Sequence, residues 1–483
     1  MAVACLCFIF AFALSVGITP VVRSTVLRFG WVDAAGRSHR KVHANDIPRL
    51  GGIAIVLGFF LPIAAVAAWR PDVIAPLFAS DPDLALAFFV GAGAIAVLGV
   101  YDDIVGSTPR QKLAVQLIVA LAIVAAGFRI ERVDLPFVRA IELGWLSYPL
   151  SVVWIVGVTN AVNLIDGLDG LAAGISIIGV LPVAVAAVVG GQVVLALVAL
   201  TLIGALAGFL VHNFHPAKIF MGDTGSMFLG FVLAVVTVQI TQKVSVAASL
   251  GAPLIALALP IFDTITSMGR RVILGKPMFS PDREHFHHRM FRFGFSHRGV
   301  VLSMYACGLV FSLLATALLL YRGPIAGIAL VLSAAVSIVL LHLLGYFGTH
   351  RNLSEAIAAA LELRRRNRAM YGALSVFKKR AGMGASIPEL AEQVLAVAKA
   401  AGASWAQVSL PAYATTWEEG VPNAEPTTEV ALFDQNGKHI GALRCTWSCP
   451  ADGAVLHVLE STRDIFEKRI IRMQPEGRTS KAA

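Results

Sequence analysis

The chain has 483 residues, of which 57% are hydrophobic and 14% are charged, and its formal net charge is +9. Soluble domains carry about 25% charged residues, so this composition excludes an ordinary soluble protein. The positive charge does not indicate a nucleic-acid partner, because the basic residues lie mostly in loops between long apolar runs, as the topology of membrane proteins requires.

Eleven apolar runs are long enough to be transmembrane helices, since about twenty residues cross the ~30 Å hydrocarbon core of a bilayer. They cover residues 2–22, 51–69, 85–101, 113–127, 146–163, 171–189, 192–211, 222–241, 248–268, 300–321 and 324–346. No basic residue precedes the first run, so we expect an uncleaved span with its N-terminus outside. The loops that then face the cytoplasm hold most of the loop Lys and Arg, which supports this orientation.

The composition changes after about residue 350. We predict an all-α polytopic membrane protein of about 11 transmembrane helices over residues 1–346, and a small α/β soluble C-terminal domain over residues 351–483. In that domain Ile387–Lys399 has helical periodicity, and Val455–Arg472 fits a last helix. Asn436-Gly437 separates Glu429–Phe433 from His439–Cys445, which predicts a β-hairpin. The domain shows no catalytic constellation, so we expect a regulatory or docking role.

Carboxylates lie where several spans meet the predicted cytoplasmic side, although a charge in a membrane segment is costly. Asp102 and Asp103 end the third span. Adjacent helical residues point about 100° apart, so one carboxylate could face a metal and the other a substrate. Two close carboxylates also suit a proton acceptor. The alternative is an ordinary interfacial helix end.

Four polar residues then recur every third position: Asn160, Asn163, Asp166 and Asp169. On a helix this spacing predicts a polar track down one side, where amide and carboxylate oxygens could bind a ligand. The alternative is a set of structural capping residues.

The segment Phe220-Met-Gly-Asp223 begins the eighth span. The carboxylate of Asp223 is a good ligand for a hard cation, and the free N–H groups of a helix start can bind phosphate. Phe220 could stack on a nucleobase, or it could pack in the core or against lipid.

Basic residues surround two further segments. The loop after the ninth span contains Asp282-Arg-Glu-His-Phe-His-His-Arg289, whose His285, His287 and His288 lack the cysteine partners of a zinc site. With Arg289 beside them, pyrophosphate binding fits better. Lys41 and Arg49 add cations before the second span. Asp263, near the end of the ninth span, is either functional or a structural partner of Asn or Ser.

Together these motifs resemble those of the polyprenyl-phosphate N-acetylhexosamine-1-phosphate transferases, a family that includes the phospho-N-acetylmuramoyl-pentapeptide transferases. The resemblance covers about residues 35–300 in motif and all eleven spans in layout. It implies transfer of a sugar-1-phosphate from a UDP-N-acetylhexosamine to a polyprenyl phosphate such as undecaprenyl phosphate, with release of UMP. It also implies Mg²⁺, for which Mn²⁺ could substitute, and a location in the bacterial inner membrane with membrane lipids around the spans. The histidine segment is similar to the branch that uses simple UDP-HexNAc donors, because the muramoyl-pentapeptide branch has three consecutive histidines.

The resemblance implies roles for individual residues. Asp102 and Asp103 match paired aspartates near the acceptor phosphate, Asp223 matches a magnesium ligand, and Phe220 and Asp169 match positions that hold uracil. We therefore predict catalysis by Asp102 and Asp103, metal binding by Asp223 and Asn163, nucleotide-sugar binding by Asp166, Asp169, Phe220 and Asn160, and phosphate binding by His285, His287, His288, Arg289, Lys41 and Arg49.

Several alternatives stay open at this stage. The donor could be UDP-MurNAc-pentapeptide, the sugar could be GalNAc or a deoxy-amino sugar in place of GlcNAc, and a covalent aspartyl-phosphate route could replace direct attack. A secondary transporter would also bury ionisable groups, but near mid-bilayer and with internal repeats. A membrane prenyltransferase would need two separated aspartate-rich motifs, and a CDP-alcohol phosphotransferase would need one long signature. A homodimer is an expectation from the family alone.

Overall fold

The computed structural model describes residues 1–33, 47–80, 82–133, 141–244, 251–277, 285–344, 353–410, 413–418, 427–433, 439–447 and 452–473. The chain forms two compact units, one of residues 1–265 and 285–347, the other of residues 266–284 and 348–483. Lys41, most of the loop before His285 and the turn Asn436-Gly437 lie outside the described residues.

The first unit is helical. Its helices are α1 Ala2–Phe29, α2 Gly52–Trp69, α3 Pro71–Ser80, α4 Pro82–Val105, α5 Pro109–Ala125, α6 Ser147–Ile165, α7 Leu171–Val189, α8 Val193–Asn213, α9 Gly222–Val244, α10 Gly251–Ala256, α11 Ala258–Ile273, α12 Phe286–Arg292, α13 His297–Leu320 and α14 Pro324–Leu343. Two short antiparallel pairs join β1 Val32–Asp33 to β2 Ile47–Pro48, and β3 Arg132–Val133 to β4 Ile141–Glu142.

The predicted class of a polytopic all-α membrane protein is confirmed. Among the described residues, nine helices are long and apolar enough to cross a membrane, namely α1, α2, α4, α6 with its preceding turn, α7, α8, α9, α13 and α14. The fourth predicted span corresponds to α5, which has only 17 residues. The ninth is divided into α10 and α11 at Leu257. Pro260 has no N–H to donate to the carbonyl of Ala256, which explains the break.

Helix α9 lies at the centre of the first unit. Every residue from Thr224 to Thr241 is buried, and the helix packs against α2, α4, α6 and α7. A helix that is apolar on all sides is covered either by lipid or by other helices, and here other helices cover it. The N-terminus of α9 is therefore fixed in position by its neighbours, and Asp223 with it.

The second unit combines helices with one antiparallel sheet. Its helices are α15 Leu353–Gly382, α16 Ile387–Ala400 and α17 Gly453–Met473, and its strands are β5 Ala403–Leu410, β6 Tyr413–Glu418, β7 Thr427–Phe433 and β8 His439–Trp447, in the order β6-β5-β8-β7. The predicted helices and hairpin are confirmed: β7 pairs with β8 from Thr427↔Thr446 to Phe433↔His439. Ser386 is the N-cap residue of helix α16. Its N–H donates to Glu389 Oε2 at 3.0 Å, a contact of the capping-box type.

The second unit also contains the end of α11. Gly275 has φ 65°, and the N–H groups of Gly275 and Lys276 donate to the carbonyls of Val272 and Arg271. This Schellman arrangement closes the helix. The buried Asn367 of α15 donates from Nδ2 to the Leu274 carbonyl at 2.9 Å. An orphan carbonyl of the helix end is thereby satisfied.

Candidate functional site

The polar residues of four helices meet at one end of the first unit. Asp103 on α4 accepts hydrogen bonds from the N–H groups of Asp223 and Thr224, both at 3.0 Å, and from the Thr224 hydroxyl at 2.7 Å. These donors belong to the first turn of α9, whose N–H groups have no partner within the helix. Asp103 therefore caps α9, and both of its oxygens accept hydrogen bonds.

The approach of α4 to α9 depends on a glycine. A Cβ atom at Gly99 would lie 2.3 Å from the Thr224 Cα atom, closer than two carbon atoms can approach without displacement. Only a residue without a side chain lets α4 come near enough for Asp103 to reach the start of α9.

Asp102 and Asp223 share one cation. Lys112 Nζ on α5 lies 2.7 Å from Asp102 Oδ2 and also forms an ion pair with Asp223 Oδ2. The Ser107 N–H donates to the other oxygen of Asp102 at 2.8 Å, and the Ser107 hydroxyl donates to the same atom. Two carboxylates from α4 and α9 thus converge on one positive charge. Such a donor set fits a hard divalent cation.

The predicted polar track of four residues on one helix is wrong. Helix α6 ends at Ile165 and α7 begins after Gly170, which has φ 75°, so only Asn160 and Asn163 are helical. Glycines are poor helix formers, and two of them within four residues end the helix. Asp166 and Asp169 instead lie in the turn between the two helices.

Asn163 and Asn160 point to different neighbours. Asn163 Oδ1 accepts from the Ser226 hydroxyl on α9 at 2.7 Å. Asn160 Nδ2 donates to Gln116 Oε1 on α5 at 2.6 Å and to the Val156 carbonyl at 2.8 Å. Asn163 therefore joins α6 to the first turns of α9, whereas Asn160 joins α6 to α5.

Asp166 lies in the electrostatic field of the aspartate cluster. Burial, together with the charges of Asp223 and Asp103, raises its pKa to about 8, although the charge of Arg49 acts in the opposite direction. A cation bound to these carboxylates would favour the ionised form of Asp166.

Arg49 and Phe220 come together through their backbones. Phe220 N–H donates to the Pro48 carbonyl at 2.9 Å, Gly51 N–H donates to the Phe220 carbonyl at 2.9 Å, and Gly52 N–H donates to the Met221 carbonyl at 2.8 Å. The segment before α2 is thus fastened to the segment before α9. Arg49 is exposed and Phe220 is half-buried, so both side chains can reach a ligand.

Asp169 is almost fully buried and binds a histidine that the sequence reasoning did not select. Its Oδ2 accepts from His215 Nδ1 at 2.8 Å and from Ala217 N–H at 3.0 Å. The His215 ring stacks on that of His297, with centroids 4.1 Å apart and planes at 17°. The possible ligand atoms of these three residues lie within 4.8 Å of one another. Parallel rings, however, do not direct two lone pairs at one ion, so this set fits a metal poorly.

The histidine segment is anchored to α11. Asp263 accepts from His285 Nδ1 at 2.9 Å and from Phe286 N–H at 2.8 Å, so its partner is a histidine and a backbone amide. Arg289 Nη1 donates to the Leu344 carbonyl at 2.8 Å. His288 lies beside His287, with ring centroids 4.3 Å apart.

His287 connects this segment to the turn between α6 and α7. A Cβ atom at Gly167 would lie 3.0 Å from His287 Cε1 and Nε2. Burial lowers the pKa of His287 to about 3, with the neighbouring His288 and His285 acting in the same direction. His287 is therefore neutral at physiological pH and offers hydrogen bonds, not charge.

The residues of this region that escaped the sequence reasoning include Lys112, Ser107, Gln116, Thr224, Ser226, His215 and His297. Lys112 follows the third predicted span, where a basic residue is already expected from the positive charge of cytoplasmic loops. Thr224 and Ser226 lie within three residues after Asp223, and His215 lies in a short polar loop between two spans. A search for every polar residue in the short loops and in the first turns of the predicted spans would have found these three.

Comparison with known proteins shows the family of the chain. Residues 85–241 match the family described as glycosyl transferase family 4. The chain is 42% identical over 302 residues, 62% of its length, to a probable undecaprenyl-phosphate N-acetylglucosaminyl 1-phosphate transferase of Bacillus subtilis, of which it covers 81%.

More distant relatives agree on the family. The chain is 34% identical over 309 residues to a decaprenyl-phosphate N-acetylglucosaminephosphotransferase of Mycolicibacterium smegmatis, covering 59% of this chain and 75% of that protein. It is 33% identical over 327 residues to a phospho-N-acetylmuramoyl-pentapeptide-transferase of Halalkalibacterium halodurans, covering 64% and 95%. The chain therefore belongs to glycosyl transferase family 4, among the polyprenyl-phosphate N-acetylhexosamine-1-phosphate transferases.

Proposed function

We propose that the protein transfers GlcNAc-1-phosphate from UDP-GlcNAc to undecaprenyl phosphate, releases UMP and so initiates a cell-envelope polysaccharide. The convergence of Asp102 and Asp223 on Lys112 carries this proposal, because it provides a site for a cation and for phosphate oxygens at one helix start. The names of the relatives at 42% and 34% identity support GlcNAc as the sugar. The relative that acts on a muramoyl-pentapeptide is 33% identical.

The reaction is a displacement at phosphorus. An oxygen of the acceptor phosphate forms a bond to the β-phosphorus of the UDP-sugar, the bond from that phosphorus to the bridging oxygen breaks, and UMP leaves with its electrons. Chemistry of this kind depends mainly on positioning and on neutralisation of charge. Mg²⁺, held by Asp102 and Asp223 with Asn163 nearby, would neutralise the pyrophosphate when bound.

Individual residues of the chain have separate roles in this proposal. Asp102 orients the acceptor phosphate beside Lys112, whereas both oxygens of Asp103 accept the hydrogen bonds that cap α9. Lys112 offsets negative charge beside both carboxylates. Backbone hydrogen bonds join the segments of Phe220 and Arg49. We assign binding of the base to Phe220 and binding of a phosphate to Arg49. The neutral His287 donates or accepts a hydrogen bond at the turn after α6.

The test is transfer of radiolabel from UDP-GlcNAc into organic-extractable lipid by purified protein with undecaprenyl phosphate and Mg²⁺. We expect the label to disappear with EDTA and with Asp223→Asn. Asp83→Asn is the matched control, because Asp83 is an exposed carboxylate in the first turn of α4, at the opposite end of the helix from Asp102. Absence of label with UDP-GlcNAc but transfer from UDP-MurNAc-pentapeptide would refute the choice of donor.

The location of the protein belongs to the same proposal. We place it in the bacterial inner membrane with the aspartate cluster and the C-terminus in the cytoplasm, which the distribution of loop Lys and Arg supports. Labelling of single cysteines introduced at Ser107 and at Glu142, which lie outside the candidate spans, would test the orientation. The homodimer and the substitution of Mn²⁺ for Mg²⁺ stay predictions.

A further inference from the structure

Helix α11 carries a buried carboxylate that the proposed reaction does not use. Asp263 is 1% exposed, and its hydrogen-bond partner His285 is 6% exposed. A buried charge is costly unless hydrogen bonds compensate it. Asp263 receives two such bonds, from His285 Nδ1 and from Phe286 N–H.

The hydrogen bond from His285 Nδ1 to Asp263 determines which ring nitrogen of His285 can meet a ligand. When Nδ1 carries the proton that Asp263 accepts, Nε2 is the nitrogen left to meet a ligand. A carboxylate behind a functional histidine also fixes the direction of the ring. The same arrangement recurs once in the described part of the unit, where Asp169 accepts from His215 Nδ1 and from Ala217 N–H.

The second bond sets the start of α12. This helix has seven residues, and a helix so short does not hold its own direction in isolation. Phe286 N–H, bonded to Asp263, fixes its first turn. His287 follows directly, its ring parallel to that of His285 within 3° at 5.8 Å, and it packs on Gly167.

We propose that Asp263 is a positioning residue for donor binding, which acts on the pyrophosphate of the nucleotide sugar through His285 and α12 without touching it. This inference rests on the proposed function, because it requires that the histidine segment binds the UDP-sugar donor of that reaction. It predicts that loss of Asp263 weakens the donor and leaves the acceptor unaffected.

The test is a double-mutant cycle of Asp263→Asn and His285→Ala, read by calorimetric binding of UDP-GlcNAc and by the KM of each substrate. Asp263→Asn keeps the shape and removes the charge. We expect donor binding to weaken at least about tenfold, as when the carboxylate behind a ligating histidine is removed. The KM for undecaprenyl phosphate is expected to stay the same. In the His285→Ala background, we expect Asp263→Asn to weaken donor binding by less than about twofold further. The reason is that each change alone already breaks the hydrogen bond between Asp263 and His285.

Two controls separate positioning from folding. Thr264→Val changes the adjacent buried residue of α11, whose hydroxyl has no hydrogen-bond partner among the described residues, and it is expected to leave donor binding unchanged. Thermal melting of each variant reports folding. If Asp263→Asn does not fold, Asp263→Glu replaces it, because it keeps the charge but moves both oxygens by one methylene, and the same pattern is expected.

The outcomes are distinct. Three results would overturn the role of Asp263. The first is that Asp263→Asn weakens donor binding equally in the wild-type and His285→Ala backgrounds. The others are an effect confined to the KM for undecaprenyl phosphate, and unchanged donor binding. Absence of transfer by the wild-type protein would refute the proposed function instead, and the binding measurements would still decide on Asp263.

Discussion

Replacement of Asp103 by alanine is expected to loosen the start of α9. The change removes the acceptor of two backbone N–H groups and one hydroxyl. Loss of an N-cap side chain costs about 0.5–2 kcal/mol, and a negative charge at a helix N-terminus contributes a further ~0.3–1 kcal/mol. We therefore expect the free energy of unfolding to fall by about 2 kcal/mol for Asp103→Ala. For Asp103→Asn, which keeps one acceptor oxygen, we expect about 1 kcal/mol.

The assay is thermal melting of the purified protein in detergent, with transfer of label measured on the same samples. Because the cap also holds Asp223 in place, we expect transfer to follow melting: Asn retains part of the activity and Ala loses more. A chemical role of Asp103 as the base would give the opposite pattern, namely normal melting of both variants with transfer abolished equally. That result would refute the capping role and return Asp103 to the reacting groups.

Three further changes probe the same region. Gly167→Ala places a methyl group 3.0 Å from His287 and is expected to raise the KM for UDP-GlcNAc severalfold in steady-state kinetics, whereas Gly157→Ala, with open space around it, is not. His287 has a pKa lowered to about 3 against about 6.5 unfolded, so the unfolded state binds more protons below pH 6.5 and the protein loses stability as the pH falls. The loss of free energy of unfolding approaches ~2 kcal/mol at pH 5. If the melting temperature of His287→Gln falls with decreasing pH as steeply as that of the wild type, this explanation is wrong. Lys112→Gln is expected to lower the melting temperature without metal and to increase the rise that Mg²⁺ produces, because Asp223 then lacks its counter-charge; equal metal-induced shifts in both proteins would exclude Asp223 as a ligand.

Hydrophobicity alone was enough to locate most helices. The sixth predicted span, 171–189, coincides with α7 Leu171–Val189, because Gly170 and Gly190 bound an uninterrupted apolar run. Breaks inside apolar runs were harder to predict. The span 248–268 shows no loss of hydrophobicity at Leu257, and only the missing N–H of Pro260 accounts for the division.

The partners of the polar residues could not be predicted from the sequence. Asp103 meets Thr224 across 121 positions and Asp263 meets His285 across 22. Spacing within one helix says nothing about such contacts, since they depend on how helices pack. The motifs therefore predicted the polar residues of the candidate site, whereas the distinction between capping residues, bridging residues and proposed reacting groups depends on the fold.

The end of α11 makes the C-terminal unit discontinuous in sequence. Because this unit contains Leu274 and Gly275 as well as residues after 348, no single cut of the chain releases it whole. A protein truncated after Leu344 would lose the Asn367 amide and leave the Leu274 carbonyl without it. The exposed helix end belongs to the element that carries Asp263. Truncation is therefore expected to loosen the histidine segment as well, so a loss of activity in a shortened protein would not by itself show that the C-terminal unit senses or binds anything.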